Sequence, residues 1–268
     1  MGDSKITGTK DARTVSGMTA SVGRTGMTGI LMMGSCFSTE VGERLIAQGR
    51  DVTLNPFGIL FNPASIASSL LRLESGRPFS AEDVIPREGQ YVSFFHHGSF
   101  RRPTPEEFLA NANSSLEKGV EAFDKADCII LTLGTAWVFR HIERNYIVSN
   151  CHKVPAREFS REFLSVEQIE ELLSPIIERH PEKRWIFTVS PIRHMADGLH
   201  GNQLSKSTLI VAIDRIRKNF PSSVDYFPSY EIMMDELRDH TYYIDGGNHP
   251  SPEAVDIIAR RFGMFFES

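Results

Sequence analysis

From residue 30 onward, short apolar runs alternate with stretches of helical spacing. The runs at 128–133 (Cys-Ile-Ile-Leu-Thr-Leu) and 185–190 (Trp-Ile-Phe-Thr-Val-Ser) are continuous, as expected for strands buried on both faces of a parallel sheet. Runs at 30–33, 52–54 and 224–227 are further candidate strands. Between them, apolar residues recur every three or four positions and mark one face of a helix. Phe37, Val41, Leu45 and Ile46 form one such stripe, Phe108, Ala112, Leu116, Val120 and Phe123 a second, and Leu209, Ile213, Ile216 and Phe220 a third. Val255, Ile258 and Phe262 form a fourth. Helix starts are marked as well. Thr104-Pro105-Glu106-Glu107 combines a capping residue, a proline at the first helical position and a glutamate to close the box. Ser165-Val166-Glu167-Gln168 is a second capping box, with Leu164 and Ile169 at staple spacing. Ser251-Pro252 opens the last helix, and Pro175 is expected to kink or shorten the helix it falls in. Strands alternating with helices predict an α/β layered domain over 30–268. Residues 1–29 are rich in Gly, Ser and Thr, with the near-repeat Ser16-Gly17-Met18-Thr19 and Thr25-Gly26-Met27-Thr28. This predicts a flexible N-terminal segment.

Bulk properties narrow the function. At 268 residues and 41% hydrophobic, the chain can bury a sizeable core. The formal net charge is −5 with both signs interspersed, so no basic patch predicts nucleic acid or anionic lipid as a partner. A small neutral or polar molecule fits better. Cys36, Cys128 and Cys151 are widely spaced and odd in number, which argues against a disulfide framework and for a reducing compartment. No run approaches the roughly 20 apolar residues of a membrane span, and the N-terminus lacks the apolar core of a secretory signal. The expectation is a soluble cytoplasmic protein of unspecified oligomeric state.

The candidate chemistry sits at strand ends. Gly34-Ser35-Cys36-Phe37-Ser38 follows the run at 30–33 and leads into an amphipathic stretch, so it reads as strand, tight turn and helix. Open α/β sheets place their ligands there, and unpaired helix amides stabilise an oxyanion. Ser35 and Cys36 are both candidate nucleophiles, the thiol's pKa being expected to fall at a helix N-terminus; a capping serine and a buried thiol are the plainer alternatives. Asn55-Pro56-Phe57-Gly58, Gly134-Thr135-Ala136-Trp137 and Ser190-Pro191-Ile192-Arg193-His194 end three other strands. His249, just before the last helix and four residues after Asp245, is the leading candidate base, because a serine nucleophile needs an imidazole and a carboxylate to orient it. His96, His97, His152 and His194 compete for that role. No HExxH or comparable spacing occurs, and neither a metal nor a cofactor is expected. Gly2-Asp3-Ser4 matches the start of an esterase motif but follows no apolar strand.

Several blocks carry a resemblance. Gly-Ser-Cys-Phe-Ser at 34–38, Asn-Pro-Phe-Gly-Ile-Leu-Phe-Asn-Pro at 55–63, His-His-Gly-Ser-Phe at 96–100, Leu-Gly-Thr-Ala-Trp-Val at 133–138 and Asn-Cys-His-Lys at 150–153 are five of them. Val-Ser-Pro-Ile-Arg-His at 189–194, Asn-Gln-Leu-Ser-Lys at 202–206 and Ser-Tyr-Glu-Ile-Met-Met-Asp-Glu-Leu-Arg-Asp at 229–239 complete the series. Together they resemble the GSCFA domain family, grouped with the SGNH or GDSL hydrolases; Ser38 stands where the family name has alanine. The resemblance implies a flavodoxin-like three-layer α/β/α sandwich with a mostly parallel central sheet, and action on an ester of a polar small molecule or glycan. It assigns the nucleophile to Ser35 and the base to His249, and Asp245, four residues before His249, is the candidate carboxylate to orient it. It implies Gly58 as an oxyanion amide; the Ser35 amide and Thr135 are expected to assist it, Gly134 and Asn150 are further candidates, and Arg193 and His194 are expected to face the same cleft. Two positions differ from the superfamily pattern. Ala136 replaces an asparagine that donates to the oxyanion, and Gly246 stands where the orienting aspartate is usual, Asp245 being one residue earlier. The alternative expectation is a binding module that has lost the catalytic set.

Overall fold

The computed structural model describes residues 29–267, apart from the side chains of Asp245 and Glu267. The segment expected to be flexible, except for Gly29, lies outside the described residues, as does Gly2-Asp3-Ser4. The chain begins with β1 (Ile30–Gly34), α1 (Cys36–Ala47), β2 (Val52–Leu54) and α2 (Pro63–Ser75), then a hairpin of β3 (Ile85–Arg87) and β4 (Gln90–Val92). Next come α3 (Pro105–Lys125), β5 (Cys128–Leu133), β6 (Trp137–His141), β7 (Tyr146–Val148) and β8 (Phe159–Phe163). The remainder is α4 (Val166–Arg179), β9 (Arg184–Val189), α5 (Gly198–Asn219), β10 (Val224–Phe227), α6 (Ser229–Glu231), β11 (Tyr243–Ile244), β12 (His249–Pro250) and α7 (Pro252–Glu267).

Five strands form one parallel sheet in the order β10-β9-β5-β1-β2. Counting only these strands, the order is 2-1-3-4-5, so the connections reverse direction between β1 and β5, the place where doubly wound sheets bind ligands. Side-chain alternation along β1 explains the layers. Leu31 and Met33 join a core built with α2, α3, α4 and α5, whereas Ile30 and Met32 join a second core with α1 and α7. Each fully buried side chain of this size contributes about 1.5–3 kcal/mol.

Most predicted elements form. Thr104 Oγ1 accepts from the Glu107 amide at 3.2 Å, and the Ser165–Gln168 box closes in both directions. Two expectations change. Helix α4 continues through Pro175 for another turn, held by Ile169, Leu173, Ile176 and Ile177 in the core. Ile46 is exposed, so the stripe of α1 narrows to Phe37, Val41 and Leu45. Helix α2 was not anticipated, although its signals are conventional: Asn62 Oδ1 caps the Ser65 amide at 2.8 Å, Pro63 takes the first turn, and Gly76 ends it at φ +60°. Also unanticipated is the antiparallel sheet β7-β6-β8 inserted between β5 and α4. Its strands are three to five residues long and half exposed, too short to show a period.

Candidate active site

The turn after β1 is built by two neighbours. Gly34 has φ +145°, and a Cβ there would collide with the carbonyl oxygen of Thr132 on β5. Its amide donates to Asn55 Oδ1 at 2.8 Å, and its carbonyl accepts from the Leu60 amide at 2.9 Å. Asn55, at φ +42°, in turn donates through Nδ2 to Thr39 Oγ1 at 2.9 Å. The Asn55-Pro56-Phe57-Gly58 turn therefore braces the Ser35 turn from the β2 side. Replacing Gly34 with Ala combines a forbidden φ with overpacking and is expected to destabilise the fold by about 2 to 4 kcal/mol, read as a lowered urea midpoint with unchanged slope.

Ser35 occupies the N-cap position of α1 with φ −69° and ψ 175°, yet its hydroxyl makes no cap bond. The Oγ is buried and has no hydrogen-bond partner. That removes the structural reason for a serine here. Ser35 lines a cavity of about 490 Å³ at the carboxyl ends of β1, β5 and β9, at the switch point of the sheet. Ser35 and Cys36 line it from below, Thr135, Trp137 and Phe139 from the chain after β5, and Asn150 and Cys151 from the loop after β7. Ser190, Arg193 and His194 follow β9, and Asn248 with His249 closes the far side.

Thus Ser35, Thr135, Asn150, Arg193, His194 and His249 converge. Gly58 and Gly134 do not. Gly58 is absent from the lining, and its amide donates to Asn55 O at 2.7 Å inside the bracing turn. The Gly134 and Thr135 amides both donate to Phe61 O, at 2.8 and 2.9 Å, and the Ser35 amide donates to Thr132 O at 3.3 Å. These amides are occupied, so the oxyanion hole expected from Gly58 and the 134–135 turn is not formed by them. Asn150 Oδ1 accepts from the His152 amide at 2.8 Å, which leaves its Nδ2 hydrogens as the group it can offer. Arg193 braces instead of reaching out: its guanidinium lies 4.1 Å from the Tyr243 ring and 3.4 Å from Gly247 O. It thereby holds the loop that carries His249.

Over residues 29–262 the sequence matches the profile of the GSCFA family. The chain belongs to the GSCFA family. No curated protein matches it. One solved crystal structure shares 15% identity with a TM-score of 0.44, over 89% of this chain and 95% of that one.

Electrostatics sorts the competing groups in the GSCFA domain. His96 is wholly buried among Phe57, Phe79, Phe100 and Phe108, with both ring nitrogens unpartnered. Burial, aided by the charges of His152 and Arg72, pushes its pKa down to about 3. His97 caps a short turn through Nδ1, and His152 bonds Ser93 O at 2.8 Å; neither lines the cavity. His194 does, but burial and then the charges of Lys206 and His249 lower its pKa to about 4, so it is a neutral imidazole. Burial raises the Cys36 thiol, outweighing its own backbone amide, and takes Cys151 up to about 11. The thiolate expected at the helix N-terminus is therefore disfavoured. Sequence reasoning missed Glu40, one turn along α1, whose carboxyl is raised by burial and lowered again by Arg44 and His249. It also passed over Trp137, whose Nε1 is buried and unpartnered. The Trp137 ring meets Phe163 edge-on at 4.8 Å and lies under Arg161 at 3.8 Å, with Arg161 paired to Asp197. Among the described residues no group of acidic, His or Cys side chains could hold a metal ion, and no helix is long and apolar enough to cross a membrane.

Proposed function

We propose that this GSCFA domain is a serine-dependent acyl hydrolase or acyltransferase acting on an ester of a polar small molecule or glycan. The observation that carries the reading is that Ser35, whose hydroxyl is buried and unbonded, lines the same cavity as His249. A flavodoxin-like strand order and the SGNH-like blocks support it. In this mechanism Ser35 Oγ attacks the acyl carbonyl while His249 takes its proton and later returns it to the leaving alcohol. Glu40 is the carboxylate that interacts with His249; Asp245, four residues before His249 in sequence, is the other candidate, its side chain lying outside the described residues. The oxyanion falls to the Cys36 and Phe37 amides at the start of α1, the Ser38 amide being bonded to Ser35 O at 2.9 Å, together with Trp137 Nε1, a donor with no acceptor of its own. Trp137 thus takes over from the asparagine that Ala136 replaces.

Loss of one such donor lowers turnover on the order of 10²-fold. Trp137→Phe, which keeps a ring against Phe163 and Arg161, is expected to show that loss in kcat/KM with unchanged melting. The specific observation favouring a non-catalytic binding module is that the Ser35, Gly134 and Thr135 amides are already occupied. Intact-mass analysis after a fluorophosphonate probe separates the two. A single adduct on the folded protein supports an activated serine, whereas none after prolonged exposure sinks the hydrolase reading in favour of the binding module.

A further inference from the structure

The block Asn202-Gln203-Leu204-Ser205-Lys206 has so far no function, yet three of its side chains, Asn202, Ser205 and Lys206, are buried against the loops that line the cavity. Asn202, Ser205 and Lys206 are spaced i, i+3, i+4 and share a face of α5. Lys206 is fully buried, and its ammonium donates to Gly134 O at 2.6 Å and Ser190 O at 2.7 Å. Those carbonyls belong to the first residues beyond β5 and β9, whose ladder ends at Leu133 opposite Val189. Past that pair the strands part, and an apolar residue at 206 would leave two buried acceptors unsatisfied. Ser205 Oγ accepts from the Ala136 amide at 2.8 Å and bonds Thr135 Oγ1 at 3.1 Å. Asn202 Oδ1 accepts from the His194 amide at 2.9 Å. Every one of these bonds ends on the two loops that supply Thr135, Trp137, Ser190 and His194 to the cavity.

A buried cation is a costly way to tie two loops. Burial lowers the Lys206 pKa to about 7, and no carboxylate lies within ion-pair distance of it among the described residues; Asp197 raises it only from farther off. When protonated, such a group has an electrostatic effect as well as a bonding one: burial is the first cause of the lowered His194 pKa, and the Lys206 charge adds to it. We infer that Lys206, with Asn202 and Ser205, is the positioning group of this cavity: it clamps the carboxyl ends of β5 and β9 and, through its two neighbours, aligns Thr135, Trp137 and His194. The inference rests on the reading of the cavity as the functional site, and it names residues that touch no substrate.

The test compares Lys206→Met with Leu209→Ala, a cut in the apolar core of the same helix. Amide hydrogen exchange, the NMR titration of the His194 ring and the rate of fluorophosphonate labelling are read on each. In Lys206→Met the amides of 134–137 and 192–194 are expected to exchange on the order of tenfold faster, the His194 titration to move up, and labelling to slow. Leu209→Ala is expected to loosen α5 without moving His194. A folded Lys206→Met with wild-type exchange in those loops and an unmoved His194 overturns the inference. Should Lys206→Met fail to fold, Ser205→Ala decides: faster exchange confined to 135–137 supports the clamp, and no change there overturns it. Absence of labelling on the wild-type protein would sink the hydrolase reading alone, since exchange and the His194 titration still report on the clamp.

Discussion

Replacing Ser35 with Ala is expected to abolish fluorophosphonate labelling and to lower ester turnover by about 10⁴-fold or more, while leaving the fold as stable as before or slightly more so. The two readouts move apart for a physical reason. Ser35 Oγ is buried without a partner, so in the resting protein the hydroxyl is a desolvated polar atom with no compensating bond, and deleting it removes a penalty of up to about 1 kcal/mol. A structural cap would behave oppositely, costing about 1 kcal/mol when cut to Ala. Thermal melts and intact-mass labelling on the same pair of samples check this. A mutant that melts several degrees lower and still carries the adduct would mean that Ser35 is a cap and that another residue, Cys36 first, is modified.

Acid is expected to unfold the protein through His96. The folded state holds this ring neutral, with a pKa near 3, against 6.5 for the free side chain. Below pH 6.5 the unfolded chain therefore binds a proton that the folded one refuses, and stability falls as pH drops towards the folded value. From these two values the loss is about 2 kcal/mol at pH 5 and about 4 kcal/mol near pH 3. His96→Leu keeps an apolar group among the phenylalanines and removes the titrating nitrogens, so its urea-denaturation curve should lose that part of the acid slope. The difference between wild type and mutant must grow as pH falls; a constant offset from pH 7 to pH 4 would refute the assignment. His194, whose pKa is lowered to about 4, contributes a smaller slope of the same sign in both proteins.

The parallel sheet was legible because its central strands are buried on both faces and therefore continuously apolar. Residues 128–133 form β5 as predicted, and 185–190 is displaced by one residue from β9. Ser35 and His249 were legible for a topological reason: a strand–turn–helix with small residues, and a histidine just before the last helix, mark where such a sheet gathers its loops. Gly58 was misplaced because a glycine at positive φ signals a tight turn whatever the turn is for; here it lets His97 approach and supports Asn55. Lys206 was passed over because a lysine inside a helix is normally solvated, and only the three-dimensional arrangement reveals that its partners are carbonyls from two strand ends. Trp137 belongs to a short strand whose pairing partner, Phe163, lies 26 positions later, beyond the range of any local pattern.

The antiparallel insert divides the cavity wall between two separately hydrogen-bonded frameworks. Ser35, Ser190, His194 and His249 come from the parallel sheet and its returning loops, where a shift of one residue disturbs the core. Trp137, Phe139, Asn150 and Cys151 come instead from β6 and the loop after β7, whose strands pair only with one another. Substitutions in that wall leave the sheet ladder intact, so that side of the cavity can change its shape and polarity without moving Ser35 or His249.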